Sequence, residues 1–289
     1  MKKTTQFRHL LNDNKISIMP SVHDPLCAKL AVDAGVELIC CSGYANSAAF
    51  LGAGDASLMS SSEMVSCLSR IVDAANCPVF ADADTGYGGI PNVIRTIKLF
   101  EKAGAAGLFI EDQTFPKRCG HMQGKSIISK EEMVCKVKAA VDTRQDQDFV
   151  IMARCDAIAL EGFEAAIERA NAYVEAGADA IFIEAPESVE QLEAIPSLVP
   201  EGVYLMANMI PQGITPILPA DRLEALGYHI AAYPTDNSRI IAKVIGDYME
   251  SLVKNRNNSE FEHLMMGFEE FKSKVGLTQL WEKEKMYMK

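Results

Sequence analysis

Glu175-Ala176-Gly177 stands just ahead of Ala180-Ile181-Phe182-Ile183, and the same phrase occurs twice more, as Asp33-Ala34-Gly35 ahead of Leu38-Ile39-Cys40-Cys41 and Lys102-Ala103-Gly104 ahead of Gly107-Leu108-Phe109-Ile110. In each case a helical pattern stops at Ala-Gly, where glycine supplies the left-handed turn that closes a helix. A short apolar run rich in branched and aromatic residues follows, as expected of a strand buried on both faces. The repeating unit is therefore helix, tight turn, parallel strand. Applied to the whole chain it gives eight strand candidates, at residues 16–19, 38–41, 79–83, 108–111, 150–153, 180–184, 204–207 and 229–233. Amphipathic helical segments lie between them, among them 63–75, 92–103, 130–142 and 163–176. Start signals precede two of these: Ser61 or Ser62 before Glu63, and Ser129 before Lys130-Glu131-Glu132.

Strands and helices alternating eight times over about 250 residues predict a (β/α)8 TIM-type barrel. A doubly wound open sheet is the structural alternative, but the chain carries no Gly-rich dinucleotide fingerprint. Gly86 to Gly89 fits neither that pattern nor a P-loop. Beyond the eighth helix the chain turns polar at Lys254-Asn-Arg-Asn-Asn-Ser259, then resumes with apolar Phe261, Leu264, Met265, Phe268 and Phe271. We therefore expect a barrel domain over 1–253 and a C-terminal helical arm over 254–289, whose apolar face needs a cover on its own barrel or a partner subunit.

Composition narrows the function. The 289 residues carry a formal charge of −11, which argues against nucleic acid as a partner because counterion release needs a basic surface. No apolar run approaches the length of a membrane span, and the first 20 residues do not read as a signal peptide, so a soluble, cytoplasmic protein is expected. The eight cysteines include no Cys-x-x-Cys pair, and several fall in apolar runs, so most are expected to be reduced core thiols and a structural zinc site is not expected.

In this barrel class the chemistry sits at the C-terminal strand ends. Those ends read Asp82-Ala83-Asp84-Thr85-Gly86, Glu111-Asp112-Gln113, Arg154-Cys155-Asp156, Glu184-Ala185 and Asn208. Asp82 and Asp84, two apart on a strand, would share a face and repel unless something positive lies between them. With Glu111 on the next strand they would make an all-oxygen site for Mg2+, with Mn2+ as the alternative. The competing reading is that some of these acids cap helices or pair with Arg154. The connection 114–129 is long for its kind and holds Lys117-Arg118-Cys119-Gly120-His121, where two cations and a histidine would lower the Cys119 pKa. The competing reading there is a basic surface loop with a chance cysteine. His9, His23, His229 and His263 have no comparable company in the sequence and are expected to be structural.

These residues bring out a resemblance. The segments Asp82-Ala-Asp-Thr-Gly-Tyr-Gly88, Phe109-Ile-Glu-Asp-Gln113 and, above all, Lys117-Arg-Cys-Gly-His121 are similar to the isocitrate lyase and phosphoenolpyruvate mutase superfamily, within it the branch of methylisocitrate and 2,3-dimethylmalate lyases. The likeness runs from Met19 to Arg239. It implies a Mg2+-dependent carbon–carbon lyase acting on a small 2-hydroxy carboxylate and releasing a 2-oxo acid. It implies Asp82, Asp84 and Glu111 as metal residues, with Asp84 the direct ligand. Cys119, His121, Arg154 and Tyr44 take catalytic roles, while Ser42, Gly43, Tyr44, Asp55, Lys117, Arg118, Cys119, Gly120, Arg154, Glu184, Asn208 and Arg239 bind substrate. It further implies a homotetramer with exchanged C-terminal helices.

One departure bears on the substrate. Methylisocitrate lyases carry Asn-Ile-Thr-Glu-Phe-Gly where this chain has Asn208-Met209-Ile210-Pro211-Gln212-Gly213, so a hydroxyl and an acid give way to apolar groups. Burying an unpaired charge is costly, so the expectation is a less polar, methyl-bearing substrate such as 2,3-dimethylmalate, cleaved to pyruvate and propionate, ahead of 2-methylisocitrate, which would give pyruvate and succinate. A decarboxylase or hydrolase of 2-oxo acids, and a non-catalytic barrel, are the more distant alternatives.

Overall fold

A computed structural model describes residues 1–13, 15–118, 120 and 124–288. Residues 119 and 121, two of the catalytic expectations, lie outside the described residues.

Eight parallel strands close on themselves in sequence order: β1 Ser17–Val22, β2 Ile39–Cys41, β3 Val79–Asp82, β4 Gly107–Glu111, β5 Val150–Cys155, β6 Ala180–Ile183, β7 Tyr204–Asn208 and β8 Ile230–Tyr233. The expected barrel is what forms. β1 pairs with β8 through Ser17 to Pro20, and only its extension to Val22, past the predicted end, brings Ser21 and Val22 beside Cys40 and Cys41 of β2. The repeated Ala-Gly turns behave as predicted, with Gly35, Gly104 and Gly177 all left-handed at φ 92°, 92° and 101°. The cap of the helix Ser61–Ala74 is Ser60 rather than Ser61 or Ser62. Its hydroxyl accepts from the Glu63 backbone N–H while the Glu63 carboxylate accepts from Ser60 N–H, a capping box that fixes the start one residue earlier.

Two apolar layers hold the barrel. The outer one lies between strands and helices and includes Val22, Ile39, Ile97, Phe100, Ile151, Tyr173 and Ile183. The inner one fills the barrel with Met19, Cys40, Phe80, Phe109, Met152, Phe182 and Met206. A helix the strand count did not include, Lys3–Asn12, contributes Phe7 and Leu11 to this inner layer, with the Phe7 ring 5.5 Å from that of Phe80. Because Phe80, Val150 and Ala180 lie at the starts of their strands and Leu38 just ahead of β2, this helix plugs the N-terminal opening and leaves the C-terminal one for a ligand.

The chain forms two compact units, 1–237 and 238–289. The second holds most of the long helix Asp236–Asn255, a 3-10 turn Ser259–Leu264 and the helices Phe268–Lys274 and Leu277–Tyr287, none of which has a buried residue. Within it the Tyr248 and Phe261 rings meet at 5.6 Å, and the Lys272 ammonium lies 5.1 Å from the Trp281 ring.

Candidate active site

All eight strands send side chains to one cavity of about 570 Å³ at the open end of the barrel. Its floor is apolar, with Met19, Cys40, Phe109, Phe182, Met206 and Ala232, and its rim is polar, with Ser42, Tyr44, Asp55, Asp82, Gly120, Arg154, Glu184 and Asn208. Most residues singled out from sequence therefore meet here.

Arg154 is the centre of charge. Its Nε lies 2.8 Å from Asp156 Oδ2 and 3.5 Å from Glu111 Oε2, and its Nη2 lies 3.0 Å from both Asp156 Oδ1 and Glu184 Oε2. The guanidinium rests above the Phe182 ring at 5.1 Å and near Phe109 at 5.9 Å. Burial works against its charge, but Asp156, Glu184 and Glu111 more than offset that and hold it protonated. Asp156, in turn, stays below the usual carboxylate range despite its burial, because Arg154 and then Lys125 favour the anion. Lys125 also donates to the Gly120 carbonyl at 2.5 Å, which ties the loop carrying Gly120 to Asp156. Asp112 completes this scaffold by accepting from Asp156 N–H at 2.8 Å and from the Tyr173 hydroxyl at 2.7 Å. Asp112 and Asp156 stood among the strand-end residues without an assigned role, and Lys125 was not singled out in the sequence.

The acids sit differently from the strand argument. β3 ends at Asp82, and Asp84 follows in a left-handed conformation at φ 47°, so period-two alternation does not relate the two side chains. They are brought together instead by local bonding: Asp82 Oδ1 accepts from Asp84 N–H and Asp82 Oδ2 from Gly43 N–H, each at 2.9 Å. The Asp84 carbonyl in turn accepts from Glu111 N–H at 2.9 Å, locking this turn to β4. The positive group the pair requires is Lys117, whose Nζ lies 3.0 Å from Asp84 Oδ1 and 2.6 Å from Asp55 Oδ2. Lys117 therefore serves the acids, and Arg118 is exposed and does not line the cavity. Burial raises the Asp84 carboxyl to about 6 even though Lys117 opposes the rise. Burial also pushes Glu111 well above the carboxylate range, against Arg154 and Lys117.

The donor set suits a hard, hydrated cation. Neither Glu111 oxygen accepts a hydrogen bond, and Asp84 Oδ1 has only its ion pair with Lys117, so fully buried carboxylate oxygens keep unused lone pairs. One oxygen each from Asp82, Asp84 and Glu111 does not come within 4.8 Å as a set, so they do not form a tight three-ligand cage. An ion that keeps several of its waters is the kind that fits such spacing.

Of the departure at 208–213, Ile210 lines the cavity. Met209 is buried in the outer layer, where its sulfur accepts from Leu218 N–H, and Pro211 is exposed. Arg239 belongs to the second unit and lies in the helix Asp236–Asn255.

Comparison with known proteins agrees with this geometry. Over 287 residues the chain is 44% identical to 2,3-dimethylmalate lyase of Eubacterium barkeri, covering 99% of both chains. It is 41% identical over 238 residues to 2-methylisocitrate lyase of Vibrio cholerae, covering 81% of this chain and 77% of that one. Among solved structures, a 2,3-dimethylmalate lyase superposes with a TM-score of 0.93 at 29% identity, over 99% of this chain and 96% of that one. A phosphonopyruvate hydrolase complexed with oxalate and Mg2+ superposes with a TM-score of 0.90 at 30% identity, covering both chains fully. The expected superfamily, barrel and carbon–carbon lyase class are all met. The phosphoenolpyruvate phosphomutase profile matches residues 7–253, and the chain belongs to that family.

Proposed function

We propose that this protein is a Mg2+-dependent lyase that cleaves a methyl-substituted 2-hydroxy dicarboxylate, with 2,3-dimethylmalate, split into pyruvate and propionate, as the substrate. The observation that carries the choice is the wall of the cavity: one buried guanidinium beside an apolar lining of Phe109, Phe182, Met206 and Ile210. A third substrate carboxylate would meet Ile210 where methylisocitrate lyases offer a hydroxyl, and an unpaired charge there is costly. The 44% identity with a 2,3-dimethylmalate lyase across the full chain points the same way.

Asp84 would hold the cation, with Asp82 and Glu111 around it; when bound, Mg2+ lowers the pKa of a chelated hydroxyl and steadies the 2-oxo acid that forms. Gly43 N–H donates to Asp82, Ser42 and Tyr44 line the same cavity, and the three would orient the 2-oxo acid half. Tyr44, on the cavity rim, is this chain's candidate for relaying the hydroxyl proton, taking it on the phenol oxygen as its own proton passes to solvent. As that proton leaves, the electron pair of the O–H bond becomes the carbonyl, and the bond between the two substituted carbons breaks. Its electrons pass into the carboxylate of the departing half, raising its charge, which Arg154 offsets with help from Asn208. Asn208 Nδ2 is already oriented by Glu184 Oε2 at 3.2 Å. Cys119, which lies between Lys117 and Lys125 in sequence, would then protonate that carbon, with His121 two residues further along.

The test is pyruvate release from 2,3-dimethylmalate and from 2-methylisocitrate in parallel, each with Mg2+ and with EDTA. Metal-dependent pyruvate, faster from 2,3-dimethylmalate in kcat/KM, is the expected result. A clear preference for methylisocitrate would overturn the substrate, and no pyruvate from either would overturn the lyase reading. We also propose a cytoplasmic enzyme whose C-terminal arm, 254–289, is exchanged within a homotetramer.

A further inference from the structure

His23 was expected to be structural, yet it has chemical company outside the cavity. It leaves β1 one residue past Val22, and Asp24 then caps the helix Pro25–Asp33. Asp24 Oδ1 accepts from Cys27 N–H at 2.7 Å, the ordinary N-cap bond, and this leaves Oδ2 turned toward His23 Nε2 at 3.4 Å. The same nitrogen faces Cys27 Sγ at 3.8 Å. All three donor atoms lie within 4.8 Å of one another, and this is the one such His, Cys, Asp or Glu group among the described residues.

We propose that His23, Asp24 and Cys27 form a binding site for a borderline divalent cation, Zn2+ above all, separate from the all-oxygen catalytic site. The donor set is one imidazole nitrogen, one carboxylate oxygen and the Cys27 sulfur, a thiol held protonated by burial and the Asp24 charge that would give up its proton to solvent as the metal binds, and such a set favours Zn2+ over Mg2+. Zn–N and Zn–O bonds near 2.0–2.2 Å and Zn–S near 2.3 Å place tetrahedral donors about 3.3–3.6 Å apart, close to the 3.4 and 3.8 Å at which His23 Nε2 already faces Asp24 Oδ2 and Cys27 Sγ. The cap bond fixes the Asp24 side chain in advance, so little ordering remains to be done on binding. The His23 side chain is only 8% exposed, and its Nδ1 has no hydrogen-bond partner, so nothing on the protein competes to turn the ring away. Asp24, 43% exposed, leaves one side open for a water as fourth ligand. The spacing His-Asp-x-x-Cys escapes zinc patterns built on Cys-x-x-Cys because the cap, rather than a knuckle, gathers the ligands.

Co2+ reports thiolate ligation by a sulfur-to-metal charge-transfer band and serves as the probe, with the full chain first saturated with Mg2+. The wild type is expected to take up one Co2+ with this band, and Zn2+ to displace it. Cys27→Ser should abolish the band, Cys119→Ser should keep it, and His23→Gln should weaken Co2+ binding at least tenfold. Circular dichroism and Tm check that each variant folds, and should Cys27→Ser fail to fold, His23→Gln decides alone. The proposal is overturned if the wild type shows no band, if the band survives Cys27→Ser or disappears with Cys119→Ser, or if His23→Gln binds Co2+ like the wild type. None of these readouts uses lyase turnover, so they stand apart from the outcome of the pyruvate assay.

Discussion

Gly43 shows how narrowly a single residue can be constrained. A Cβ there would sit 2.9 Å from Asp82 Oδ2 and 3.4 Å from Asp84 Oδ1, the very oxygens that define the acid-rich side of the cavity. Gly43→Ala should therefore shift these carboxylates and lower kcat about 10²-fold, the scale of a misplacement near 1 Å, while Tm measured alongside moves little. Ile210→Thr is the corresponding probe of specificity. Restoring a hydroxyl to the wall should raise kcat/KM for 2-methylisocitrate relative to 2,3-dimethylmalate several-fold, and an unchanged ratio would remove Ile210 as the determinant. The family resemblance singled out both residues, each two positions past a strand end. Sequence did not anticipate how Asp84 reaches the cavity, because a left-handed turn after Asp82 carries no signature in residue order alone. Nor could it show Lys117 between Asp55 and Asp84, because that contact joins residues 62 apart in the chain.

Among the elements, the strands were legible because a strand buried on both faces must be apolar throughout, and the Ala-Gly turns marked where three of the eight began. The N-terminal helix was not, although Phe7, Leu10 and Leu11 have helical spacing; nothing in a ten-residue element states that it will close a barrel. The packing gives it a measurable role. Phe7 is fully buried against Phe80, so Phe7→Ala should cost about 3–5 kcal/mol in urea unfolding, as large-to-small changes in closed cores do. Strand β7 carries a second, pH-dependent contribution. The backbone N–H of Leu205, in β7, donates to His229 Nδ1 at 3.1 Å, and burial lowers the His229 pKa below its ordinary value near 6.5. The neutral ring is the folded form, so its contribution is fully present above the unfolded pKa and is lost as pH falls through the folded one. Stability should therefore decline below about pH 6.5, and His229→Gln should flatten that part of the profile in thermal melts at stepped pH.

At the scale of the whole molecule, the second unit carries an apolar surface that needs a cover. Its long helix exposes Ile240, Ile241, Val244, Ile245, Met249 and Val253, and the segments after it expose Leu264, Met265, Phe268, Leu280 and Trp281. Scattered apolar residues are normal on a surface, but so many on consecutive helices with no buried residue among them are what supports the proposed association. Closed point-group symmetry is the usual way for identical chains to satisfy such a face, and a four-chain assembly would have a mass four times 31.6 kDa. Light scattering at micromolar protein should therefore give a mass well above one chain and independent of dilution over about tenfold. Phe268→Glu together with Val244→Glu, which place charge on this face but leave the barrel core untouched, should lower that mass. A wild-type mass near 31.6 kDa would instead mean that the second unit covers its own apolar residues in solution, and the exchanged arm would have to be abandoned while the barrel and its cavity stood unchanged.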